Sequence, residues 1–98
     1  MAKFKFTIDK VTPSSGPVDQ LIEIYIWSLP SSQGDYKLDL WRENSGNLNL
    51  FVLSWGSPVK AKLEYSQNVP LPPALPMLVR LKKGTAIVSN LVPYTILH

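Results

Sequence analysis

The feature that most limits what this chain can fold into is a side-chain period of two along most of its length. In "VKAKLEY", Val59, Ala61, Leu63 and Tyr65 alternate with Lys60, Lys62 and Glu64. In "QLIEIYIW", Ile22, Ile24 and Ile26 alternate with Leu21, Glu23, Tyr25 and Trp27. "KFKFTI" sets Phe4, Phe6 and Ile8 against Lys3, Lys5 and Thr7; "YKLDLWR" sets Tyr36, Leu38 and Leu40 against Lys37, Asp39 and Trp41. Successive strand side chains point to opposite faces, so this spacing buries one face of a sheet and exposes the other. β-Branched and aromatic residues dominate these runs, which suits a pleated surface. No stretch offers the capped 3.6-residue stripe of an amphipathic helix.

The remaining runs follow the same rule. "LNLFVLSW" places Leu48, Leu50 and Val52 inward and Phe51, Leu53 and Trp55 outward. "MLVRLKK" carries Met77, Val79 and Leu81 on one face. "TAIVSNLVPYTIL" reads as a last strand broken near Ser89 and Asn90, with Pro93 marking an edge or bulge. Turn chemistry separates the runs: Pro13, Gly16 and Pro17 in "KVTPSSGPV", Gly46 in "ENSGN", "WGSP", and Gly84. Gly16 is expected to permit a bend, and Gly46 can take a positive φ. "SQNVPLPPALP", with Pro70, Pro72, Pro73 and Pro76, reads as an extended connection, because proline cannot donate to a ladder. About seven strands with turns every 8 to 12 residues result. For a single domain spanning residues 1–98, the expected fold is all-β: an immunoglobulin-like antiparallel β-sandwich. "KVTPSSGPV" is then a corner between the first two strands. It lacks the glycine spacing, lysine and following helix of a phosphate-cradling loop.

Composition narrows the function classes. Apolar residues make up 45% and charged residues 17%, too apolar and too weakly charged for a disordered chain. There is no cysteine, which removes disulfides, thiol catalysis and cysteine zinc sites. The net charge of +3 is spread thinly, and the one basic cluster is Arg80, Lys82 and Lys83. Nucleic-acid surfaces carry a denser basic stripe, so nucleic acid is not the expected partner. A dimerisation domain touching DNA through those three residues is the weakest reading. No apolar run reaches the roughly 18 to 20 residues of a membrane span, so no membrane insertion is expected. "MAKFKFTIDK" has no apolar core of a secretory signal. The compartment stays open: extracellular or cell surface for a domain of a longer chain, virion or cytoplasm for a stand-alone one.

Catalytic groups are sparse. The sole histidine is His98, and termini are poor places for an oriented base. Asp9, Asp19, Glu23, Asp35, Asp39, Glu43 and Glu64 are scattered and form no calcium-loop spacing. No catalytic residue, metal site or cofactor is expected, and the chain reads as a non-enzyme.

With these residues in view, the two ends resemble the IPT/TIG family of immunoglobulin-like domains. An apolar strand, "VTPSSGPV" and an Ile-rich strand are similar to the family's opening. "KKGTAIVSNLVPYTI" is similar to its close: a Gly turn, a Ser-Asn pair (Ser89, Asn90) and a final strand through Val92, Pro93, Tyr94, Thr95 and Ile96. The Pro-containing stretch before Met77 looks like the family's connection between its last three strands. The chain departs from the pattern at Asp19 and Gln20, and at "IWSLP", where the family has glycines; the middle, Tyr36 to Trp55, matches nothing in particular. The resemblance implies an E-set sandwich and leaves function open. Such domains serve as spacers in bacterial surface proteins, in starch-acting enzymes, in receptor ectodomains and as dimerisation domains of some transcription factors.

The aromatic residues carry the functional expectation. The alternation turns Tyr25, Trp27, Trp41, Phe51 and Trp55 outward, a large aromatic surface for a monomer. Three readings stand. Trp27 or Trp41 is the tryptophan that many sandwiches bury; the set is a protein or self-association interface; or it is a platform on which sugars stack, with polar neighbours from "NLNL" and "SQN". The leading expectation is a non-catalytic structural and interaction module for assembly, adhesion or domain spacing. The alternative is a carbohydrate-binding module.

Overall fold

The computed structural model describes residues 5–43, 46–56, 58–63 and 73–97. It is all-β. Nine strands follow in chain order: β1 (Ile8–Thr12), β2 (Ser15–Gly16), β3 (Ile22–Ile26), β4 (Tyr36–Arg42), β5 (Gly46–Ser54), β6 (Val59–Leu63), β7 (Ala74–Lys83), β8 (Ala86–Ile87) and β9 (Val92–Leu97). Among the described residues, no helix is long and apolar enough to cross a membrane. The expectations for Lys3, Phe4, Asn44, Ser45, Ser57, Glu64, Tyr65, the segment 66–72 with Pro70 and Pro72, and His98 lie outside the described residues.

Hydrogen bonding orders the strands β1-β3-β6-β5-β4-β7-β9-β2, with β8 folded back on β7. β2 lies parallel to β9, and the other strand pairs are antiparallel. The two ends of the path, β1 and β2, are consecutive in the chain, so the sheet is nearly closed. β5 serves both halves. Gly46–Asn49 pairs with β4, while Leu50–Ser54 pairs with β6. One core fills the space between the two arms. Ile22, Ile24, Val59 and Ala61 enter it from one side, and Leu38, Leu40, Val79, Leu81, Tyr94 and Ile96 from the other. Burying each large aliphatic side chain contributes about 1.5–3 kcal/mol.

The alternation expected for β3, β4, β6 and β7 matches the buried set. Among the described residues, nine strands rather than seven appear because two are only two residues long. Both escape a period-two search: β2 comes out of the "PSSGP" corner, and β8 is split from β9 by residues 88–91. The first strand also sits later than "KFKFTI" suggests. Phe6 makes only an isolated parallel bridge to Ser89, and β1 starts at Ile8. A register shift between Ile8 and Lys10 inserts Asp9, so Ile8 and Val11 are buried while Asp9 and Lys10 both face solvent.

Two turn expectations change, at Gly16 and Pro76. Gly16 is no bend residue. It is a buried strand residue, and a Cβ there would lie 2.7 Å from Cγ of Gln20. Gly46 pairs with Arg42 as the first residue of β5. Pro76 lies inside β7, opposite Thr95, at a point beyond the last β4 pairing, so no ladder bond is lost to its missing N–H. Gly84 turns the chain as expected, with φ +62° at the first position of a two-residue hairpin.

Ser89 and Asn90 close the sheet. The Asn90 side chain acts as a strand partner for Ile8: Oδ1 accepts from Ile8 N at 2.6 Å, and Nδ2 donates to Ile8 O at 3.1 Å. Ser89 is fully buried; its Oγ accepts from Leu81 N at 2.9 Å and donates to Asn90 O at 2.9 Å. Phe6 N donates to Val88 O at 2.9 Å. The segment between β8 and β9 thereby ties β1 to β7, where no regular ladder could do so.

Candidate functional site

Three of the five aromatic residues picked out above meet at one cleft. β3 ends at the buried Ile26, and Trp27 N donates to Thr7 O at 3.0 Å, which fixes the start of the β3–β4 loop. The chain then turns at Ser28, whose φ of 62° is unusual for a residue with a Cβ. Trp27 itself is 67% exposed. At the far end of the loop, Tyr36 N donates to Gln33 O at 2.9 Å and Gln33 Nε2 donates to Tyr36 O at 2.8 Å.

Trp55 reaches the cleft by a route that alternation does not show. The β5–β6 register shifts between Val52 and Ser54, adding one residue to β5. A one-residue slip exchanges the faces of everything beyond it. Trp55 therefore turns inward instead of outward: it is half-buried and packed against the core. Its ring stacks on Tyr36 at 6.1 Å and 21°, and Tyr36 meets Phe6 edge-on at 5.4 Å and 88°. Its Nε1 donates to Pro30 O at 2.9 Å, joining the β5–β6 turn to the β3–β4 loop. The cleft has a volume of about 440 Å³, and its walls include Asp9, Tyr25, Trp27, Ser28, Ser31 and Trp55. Lys10 Nζ lies 4.7 Å above the Tyr25 ring beside it.

The other two residues lie apart from this cleft. Phe51 is outward, as expected, and 58% exposed, next to Leu53 at 52%. It borders a second cleft of about 370 Å³ with Gln33, Lys37 and Asn49, at the point where β5 peels away from β4. Trp41 is half-buried on the outer face of β4, with the Arg80 guanidinium 5.3 Å from its ring.

The same face of β4 holds a feature that sequence reasoning missed. Asp39 points away from the core yet is 2% exposed. Arg80 covers it, donating from Nε at 2.8 Å and Nη2 at 3.2 Å, and Asn47 Nδ2 adds a third bond at 2.9 Å. Lys82 Nζ stands 4.0 Å away. The basic cluster of the sequence is thus engaged internally: Arg80 and Lys82 by Asp39, and Lys83 by the Tyr36 ring at 5.5 Å. Cross-strand register makes this cluster: Asp39 sits directly opposite Arg80 on β7, and Asn47 on β5, opposite Trp41, reaches it diagonally.

Asp9, Ser28 and Ser31 were likewise absent from the residues that sequence reasoning singled out. "WSLPSS" carries a loop signal. Asp9 carries none, because only the bulge in β1 brings it to the cleft. No family model matches the chain, and no curated protein matches its sequence.

Proposed function

We propose that this chain is an immunoglobulin-like β-sandwich of the IPT/TIG kind, acting as a non-catalytic assembly module that pairs with a second copy of itself through the free edge of β5. Strand order supports the fold. The arm β1-β3-β6-β5 corresponds to the A-B-E-D sheet of such domains, and β4-β7-β9 to C-F-G. The reading is supported by the "PSSGP" corner that carries the chain from β1 to β2 and by the Ser89–Asn90 lock, the two motifs on which the resemblance rests.

One observation carries the assembly reading: from Leu50 onward, the β4-facing edge of β5 has no strand partner among the described residues, and Phe51 stands exposed on it. Free edges are usually blunted by charge or proline, and Leu50–Ser54 contains neither. An antiparallel pair centred on Phe51 is self-complementary. It sets Phe51 against Phe51 and Leu50 against Val52, a favourable cross-strand arrangement with two-fold symmetry. Like charge on β6 does not oppose it. Lys60 and Lys62 lie on β6, one strand further in, so the two sets stand about three strand spacings apart, roughly 14 Å. That exceeds the screening length of about 8–10 Å near physiological salt. The contact is smaller than the ~1,200 Å² of a standard interface, so micromolar to millimolar affinity is expected.

Sedimentation velocity over a concentration series tests this. The wild-type chain should show a reversible dimer, and Phe51→Asp should remain monomeric with unchanged circular dichroism. A wild-type chain that stays monomeric at about 1 mM refutes self-pairing, as does a Phe51→Asp variant that still dimerises.

A further inference from the structure

We infer that the cleft beside Trp27 is a binding site for a neutral glycan, with a pyranose ring lying on the exposed indole face. The cleft uses residues that the β5 edge does not, so this site stands or falls independently of self-pairing.

Four observations select this ligand. Trp27 is a flat apolar platform open to solvent, while Trp55, in the lining of the same cleft, is held by its stack on Tyr36 and its bond to Pro30 O. One rigid wall and one accessible ring suit a planar ligand with an apolar face. Next, the polar groups at the rim are hydroxyls and one carboxylate: Ser28, Ser31 and Asp9. Asp9 has no ion-pair partner within 4 Å among the described residues. Its oxygens are available to accept from ligand hydroxyls, and bonds to an ionised acceptor are the stronger kind.

Charge then separates a sugar from a cation. The Lys10 ammonium occupies the Tyr25 face at 4.7 Å, next in the chain to Asp9, so the local charge sums to zero. With a Tyr25 face already taken by the Lys10 ammonium, a second cation placed there would meet like charge. Backbone pairing, in turn, separates a sugar from a peptide. On its β1 side, β3 is paired through Ile26 and Trp27 N is already bonded to Thr7 O, so that edge offers no free ladder to an added strand. The volume of about 440 Å³ lies within the range of small-molecule sites, roughly 300–1,000 Å³.

The test is a two-dimensional amide and indole NMR titration of the whole chain. The probes are neutral oligosaccharides built from glucose, mannose, galactose, xylose or N-acetylglucosamine, with tetramethylammonium as a cation arm. A saturable shift of the Trp27 indole N–H and of the Asp9 and Ser28 amides with at least one sugar is expected. Trp27→Ala should weaken that binding at least about tenfold, while Trp27→Tyr stays within about threefold of wild type. Asp9→Asn should weaken it about fivefold. Because Trp27 is largely exposed, both Trp27 variants should keep the wild-type spectrum outside the cleft. Phe51→Asp, the monomer variant, should bind sugar as wild type does. Absence of shifts with every sugar overturns the inference. So does binding that ignores Trp27→Ala, or saturable shifts with tetramethylammonium in place of sugar.

Discussion

Asn90→Ala removes both hydrogen bonds that hold Ile8, at 2.6 and 3.1 Å, without deleting any core volume. Each bond contributes about 0.5–1.5 kcal/mol net. The loss is larger than their sum suggests. Ile8 is 2% exposed, so its N–H is left without a water partner, which adds a desolvation cost of order 1 kcal/mol. The total is about 2–4 kcal/mol. At roughly 5 °C per kcal/mol for a domain near this size, the midpoint of thermal unfolding should fall by about 10–20 °C. With typical stabilities of about 5–15 kcal/mol, the variant should still fold at 25 °C, so the comparison is measurable. Urea unfolding monitored by tryptophan fluorescence gives the free energy, and native-state hydrogen exchange at Ile8 gives the local effect. Asn90→Asp can still accept from Ile8 N but cannot donate to Ile8 O, and should fall between the two. If Asn90→Ala costs less than about 0.5 kcal/mol, or if the Ile8 amide stays protected, the side chain is not the strand surrogate that closes the sheet.

Arg80→Met should cost about 3–5 kcal/mol in urea unfolding, because it strips two donors from a carboxylate that is 2% exposed; a loss under about 1 kcal/mol would show that Asp39 is rehydrated at no penalty. Trp55→Phe keeps a ring on Tyr36 but loses the bond to Pro30 O, so a cost near 1 kcal/mol is expected, with increased hydrogen exchange confined to the β3–β4 loop. Tyr94→Phe deletes a buried hydroxyl with no partner among the described residues, and should leave stability unchanged or raise it by up to about 1 kcal/mol. Burial pushes the Tyr94 phenol above its ordinary 10.0. The folded chain therefore holds that proton more tightly than the unfolded one, so stability is unaffected below pH 10 and declines as pH rises past it. Tyr94→Phe should resist alkaline unfolding to a higher pH than wild type, and an identical alkaline midpoint would contradict this.

Much of the fold was legible because burial writes a period of two into a half-buried strand. Ile22, Ile24 and Ile26, or Val59 and Ala61, have one reading each, and they occupy the core. The same rule failed where the ladder gains a residue. Alternation carried past Leu53 points Trp55 to solvent, and the register shift returns it to Tyr36. Carried past Ile8 it cannot anticipate that Asp9 and Lys10 both face outward. A bulge is set by what the neighbouring strand and the loops can accept, and no local sequence signal encodes that. The cleft lies where two such shifts and one left-handed residue, Ser28, meet, which explains why only its aromatic members were foreseen.

The amino-acid sequence by itself determined the class of fold, the faces of the regular strands, the turn at Gly84 and the lack of cysteine chemistry. These follow from local rules: side-chain period, backbone conformational freedom and residue inventory. The tertiary structure alone decided how charge and polarity were spent. It set Asp39 beneath Arg80 across forty-one residues of chain, and it laid the Asn90 amide against Ile8 across eighty-two. It also left the edge at Phe51 without a strand partner among the described residues, and it brought Trp27 and Trp55 to one cleft. Contacts between residues so far apart depend on sheet order and register, which are properties of the whole packed core rather than of any segment within it.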